Sequence, residues 1–75
     1  MESRTQSEEH AAAEIMHMFK YFYKDEWAPD NIFNGKTRIW IHVFNELVKQ
    51  GFIERKKFPR GYKYKWKAQW PQGME

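Results

Sequence analysis

A chain of 75 residues accommodates one small domain. It holds no cysteine, which excludes disulfides, cysteine-zinc sites and thiol nucleophiles. No apolar run approaches the roughly 20 residues that a membrane-spanning helix needs. The net charge of +3 hides an uneven distribution. Residues 1–35 carry three basic and seven acidic groups, a net of −4, whereas residues 36–67 carry ten basic groups against Glu46 and Glu54, a net of +8. Such asymmetry points to a polyanionic partner for the second half. The duller reading is a solvated basic surface that keeps a small protein soluble.

Taken in order, residues 1–6 are polar and expected to fray. Thr5-Gln6-Ser7-Glu8 fits a capping box, with Ser7 as the alternative cap. From residue 8 to 24 there is no Gly or Pro. Ala12, Ile15, Met16, Phe19, Phe22 and Tyr23 recur at helical spacing and predict an amphipathic first helix over 8–24. Ala11, Met18 and Tyr21 lie off that stripe, so the helix is apolar on more than one side. Pro29 and Gly35 bound a short second helix, 29–34, anchored by Ile32 and Phe33. A third helix spans 36–50, with Trp40, Val43, Phe44, Leu47 and Val48 buried, and Gly51 stops it.

Beyond Gly51 the period falls from 3.6 to 2. The stretch 52–67 predicts a β-hairpin whose three-residue loop is Pro59-Arg60-Gly61, a type I turn with a glycine bulge. Pairing Phe58 with Tyr62 puts Phe58, Tyr62, Tyr64 and Trp66 on an apolar face. Arg55, Lys57, Lys63, Lys65 and Lys67 then form a charged one. The tail, 68–75, holds Trp70 and no periodic signal.

The order long helix, short helix, helix, basic hairpin resembles the winged helix-turn-helix domain of small prokaryotic or viral transcription regulators. The telling stretch is Glu46-Leu47-Val48-Lys49-Gln50-Gly51-Phe52-Ile53-Glu54-Arg55, similar to that family's exit from its recognition helix into the wing. The glycine reverses the chain and the apolar pair plugs the core. Lys36-Thr37-Arg38-Ile39-Trp40-Ile41-His42 takes the place of the recognition-helix start. The resemblance covers residues 8–67. It implies an α+β fold: three helices followed by a two-stranded antiparallel β-hairpin wing. One departure stands out. Between Trp27 and Lys36 there is little room for a small strand, a full second helix and a turn, so the second helix must be short.

The resemblance further implies sequence-dependent binding of double-stranded DNA and a role in transcription regulation, with the third helix in the major groove and the wing on the backbone or in the minor groove. The candidate helix residues are Lys36, Thr37, Arg38, Ile41, His42 and Asn45; the candidate wing residues are Arg55, Lys56, Lys57, Arg60, Lys63 and Lys65. The residue chemistry agrees. Lysine and arginine neutralise phosphates, arginine pairs with guanine and asparagine with adenine, and an outward Ile41 could meet a thymine methyl. Against this, Ile41 also suits packing on the first helix, and lysines on a hairpin edge also block aggregation.

Two other classes compete. Winged helices also serve as protein-interaction modules, although such a module has no need for so dense a basic stretch. RNA or single-stranded binding could use exposed wing aromatics among Tyr62, Tyr64 and Trp66. An enzyme is not expected: Ser3 and Ser7 are the only serines, and there is no phosphate-cradling glycine loop. His10, Glu14 and His17 share one side of the first helix but lack an obvious fourth ligand, so no metal or cofactor is expected. Any homodimer would use the first helix or the tail around Trp70. Met1-Glu2-Ser3-Arg4 opens no signal peptide, and a cytoplasmic, nucleoid-associated location is expected.

Overall fold

The computed structural model describes residues 7–70. In chain order these form α1 (Glu8–His17), a π-helical extension (Met18–Tyr23), β1 (Ala28–Pro29), a 3-10 turn (Asp30–Phe33), α2 (Arg38–Lys49), β2 (Ile53–Phe58) and β3 (Gly61–Trp66). The fold is α+β. It departs from three helices and a two-stranded hairpin in two ways. The short second helix is a single 3-10 turn, so the described residues hold two α-helices. The hairpin also gains a third strand, giving the antiparallel order β1-β3-β2. The segment after Trp27 does have room for a strand, because it is only two residues long: Ala28 pairs with Tyr64 and Pro29 with Lys63. Room for the strand is made by reducing the second helix to one turn.

α1 begins where the sequence allows a cap. The Ser7 hydroxyl accepts a hydrogen bond from the His10 N–H at 3.1 Å. Thr5, the other candidate, lies outside the described residues. The helix buries Ala11, Ile15 and Phe19 completely. Phe22, expected on the same stripe, is 72% exposed. The wider turn of the π-helical extension is the cause. The Lys24 N–H donates to the Phe19 carbonyl five residues back, at 2.7 Å. Winding that slowly, the chain does not bring residue 22 back to the core, whereas half-buried Tyr23 packs there as its spacing predicts. Lys24 then ends the helix at φ +56°. Ala11, expected off the stripe, belongs to the core.

α2 is capped by the Thr37 hydroxyl, which accepts from the Trp40 N–H at 3.1 Å. It ends in a paired backbone closure around Gly51. The Phe52 N–H donates to the Leu47 carbonyl at 2.9 Å, and the Gly51 N–H to the Val48 carbonyl at 3.1 Å. Gly51 sits at φ +92° with open space where a Cβ would go. Gly51→Ala therefore costs only the left-handed backbone, about 1 kcal/mol. Thermal melts should show a lowered Tm with the fold retained.

The hairpin register differs by one residue from that expected. Phe58 lies opposite Gly61, Lys57 opposite Tyr62, Arg55 opposite Tyr64 and Ile53 opposite Trp66. The loop is therefore Pro59-Arg60, and Gly61 (φ +134°) is already in the strand. A side chain on Gly61 would also crowd Asp30, whose Oδ2 lies 3.1 Å from the Cβ position. A slip of one residue reverses the facing of a whole strand. Arg55 and Lys57 thus join Tyr62, Tyr64 and Trp66 on the helix-facing side, while Phe58 joins Lys63 and Lys65 on the outer side.

An aromatic cluster fills the centre. The Phe44 ring lies 4.9 Å from Phe33, 5.0 Å from Tyr64, 5.4 Å from Trp40 and 6.0 Å from Phe19. A second stack runs from Phe52 through Trp66 (6.1 Å) to Trp70 (4.6 Å). Phe52, expected to plug the core beside Ile53, stays exposed and covers Trp66 instead. Burial raises the Tyr64 phenol above its ordinary 10.0, with Asp30 and Tyr62 adding to the rise and Arg55 opposing it. A raised pKa in the folded state gives stability that is complete below about pH 10 and is lost as pH climbs through the folded value. Denaturant melts at alkaline pH should show that decline, and Tyr64→Phe should flatten it.

Candidate nucleic-acid interface

α2 buries Trp40, Val43 and Phe44 and leaves Arg38, His42, Asn45 and Lys49 exposed. Spaced at four, three and four residues, these form one stripe of donors and cations. Three of the four match the sequence expectation. Lys49 was missed, although its spacing from Asn45 places it on the same line. Ile41 is half-buried and packs against the core rather than standing fully outward. Thr37 is exposed, with its hydroxyl engaged at the helix cap. Lys36 is exposed just before the cap, with Nζ 5.4 Å from the centre of the Trp40 ring. Glu8, Glu9 and Glu46 line a hollow with His42 between the two α-helices.

The hairpin cations divide between two faces. On the helix-facing side the Arg55 guanidinium lies over Tyr62 at 4.8 Å and Lys57 Nζ at 5.5 Å. This is the side on which Ile53 and Tyr64 enter the core with Phe44 of α2. Arg60 stands exposed at the tip. Lys56, Lys63 and Lys65 occupy the opposite, outer side. There they surround two rings that the sequence reading did not bring together, Trp27 and Phe58, 5.5 Å apart. The pattern alone could not show this pair, because the expected register turned Phe58 inward and Trp27 precedes the unexpected strand. Of the aromatics considered for base stacking, Tyr64 is buried, Trp66 is sandwiched between Phe52 and Trp70, and only Tyr62 is exposed.

Among the described residues no group of three or more His, Cys, Asp or Glu side chains is placed to hold a metal ion. No helix among them is long and apolar enough to cross a membrane. Comparison with protein-family models, curated proteins and solved structures finds no match.

Proposed function

We infer that this chain is a small winged-helix domain that binds double-stranded DNA and acts in transcription regulation. The observation that carries the reading is the exposed stripe Arg38, His42, Asn45 and Lys49 on α2. The element order and the sheet order β1-β3-β2 supply a helix presented beside a hairpin. α2 enters the major groove, with Arg38 and Asn45 on base edges. Arg55, Lys57 and Arg60 grip phosphates and set the register without reading sequence. Regulation follows from occupancy of the site, and the location that fits is the cytoplasm, on the nucleoid.

Selection of duplexes from a random pool tests the reading. A preferred site should emerge, and Arg38→Ala should weaken binding to it by about 1–3 kcal/mol while relaxing preference at one position. A pool that shows no enrichment would contradict base readout by α2. Of the two regions considered for a homodimer, the tail already stacks Trp70 on Trp66, whereas α1 and its extension keep Tyr21 and Phe22 exposed.

A further inference from the structure

We propose that the outer face of the sheet is a second binding site, one for unpaired nucleobases, which stack on Trp27 and Phe58 while Lys56, Lys63 and Lys65 hold the phosphates. The site stands apart from the duplex surface of α2 and does not depend on it.

The face is assembled from three strands. Alternation along β3 sends Lys63 and Lys65 away from the core, and the observed register places Lys56 and Phe58 beside them. Trp27, immediately before β1, comes from the other edge of β3 and meets Phe58 above it, with the rings inclined at 66°. Gly61 opposite Phe58 adds no side chain, and the Asp30 carboxylate stands beside it, with Oδ2 3.1 Å from the Cβ position. Each lysine ammonium lies near one or both rings. Lys63 is 5.0 Å from Phe58, Lys56 is 5.6 Å from Phe58 and 5.9 Å from Trp27, and Lys65 is 5.6 Å from Trp27. Glu54, opposite Lys65, and Asp30, whose carboxylate lies beside Gly61, set two acids against the three lysines, so the face keeps a small excess of positive charge.

Lysines on a solvent-facing sheet surface account for solubility. They do not account for an indole and a phenyl ring, both half-buried, on the side of the sheet turned from the core. A partner that is flat and apolar at intervals and anionic between them satisfies both halves of the face. An unpaired nucleic-acid strand has that chemistry, because each base offers a π-face and each linkage a phosphate. A duplex does not, since its base faces are stacked on one another. On binding, the lysines move from the rings to the phosphates and the bases replace them.

The test is anisotropy of a labelled oligothymidylate of about twelve nucleotides, a length within the usual single-strand site size, with oligouridylate as a parallel arm to separate DNA from RNA. The full chain should bind at least one of them. Phe58→Leu should weaken that binding at least about fivefold, as the loss of one stacking partner does. Lys63→Gln with Lys65→Gln should lower the salt slope by about 1.4, which is about 0.7 per phosphate on a single strand. Duplex affinity should stay within about twofold in these variants, whereas Arg38→Ala should weaken duplex binding only. Should Phe58→Leu fail to fold, Trp27→Phe keeps a flat ring, and quenching of tryptophan emission by the oligomer should shrink in it. Absence of binding to both oligomers at low salt would overturn the proposal. So would wild-type affinity in folded Phe58→Leu, or undiminished quenching in Trp27→Phe.

Discussion

Phe44→Ala should leave half or more of the molecules unfolded at 25 °C. The Phe44 side chain is completely buried and touches rings from every part of the core: Phe19 next to α1, Phe33 in the 3-10 turn, Trp40 on its own helix and Tyr64 on the central strand. Removing a buried phenyl costs about 3–5 kcal/mol, from lost transfer energy plus the cavity left behind. A core of this size rarely supplies more than about 3–5 kcal/mol in total. The two quantities are equal, so the variant has no margin. Circular dichroism should show loss of helix at 25 °C, and a cooperative melt near the wild-type Tm would show that the aromatic cluster is not the stabilising centre. Phe44→Leu, which keeps most of the volume, should fold with a lowered Tm.

The second large effect concerns electrostatics. Neutralising Arg55, Lys57 and Arg60 to glutamine should lower the salt slope of duplex binding by about 2.7, since each phosphate contact contributes about 0.9 on double-stranded DNA. The same change at Lys56, Lys63 and Lys65 should leave that slope nearly unchanged. The contrast follows from the register. Had Phe58 paired with Tyr62, Arg55 and Lys57 would share a face with Lys63 and Lys65, and the two triple variants would behave alike. Equal losses in both would mean that the duplex lies across the whole hairpin rather than against its α2 side.

The parts of this fold that were legible in the sequence are those governed by local chemistry. Ser7 caps its helix because a hydroxyl satisfies an orphan N–H, and Gly51 reverses the chain because it tolerates φ +92°; Thr37, expected inside the third helix, instead caps α2, which starts at Arg38. The buried stripe of α2 follows from the 3.6-residue period, and most of its exposed stripe follows with it. Three features depended on longer-range terms. The π-helical turn after His17 has no signature in residue type, yet it turns Phe22 out of the expected stripe while Tyr23 stays in it. β1 is two residues long and forms because β3 offers a free edge, so no pattern of its own marks it. Pro59-Arg60-Gly61 suits either a two- or a three-residue loop. The choice rests on where Ile53 and Trp66 meet across the ladder, and it turned all six side chains of β2 to the opposite face. The candidate site inherits that error: its α2 half was readable, but its hairpin half was assigned to one face where the structure has two.

The central claim is that α2 and the near side of the hairpin hold double-stranded DNA. Anisotropy of a labelled random-sequence duplex, titrated with the full chain from low to physiological salt, tests it most directly. The account predicts binding whose log affinity falls linearly with log salt, with a slope of about −2.7 to −4.5 for three to five neutralised phosphates. No binding at low salt, or an affinity indifferent to salt, would contradict it.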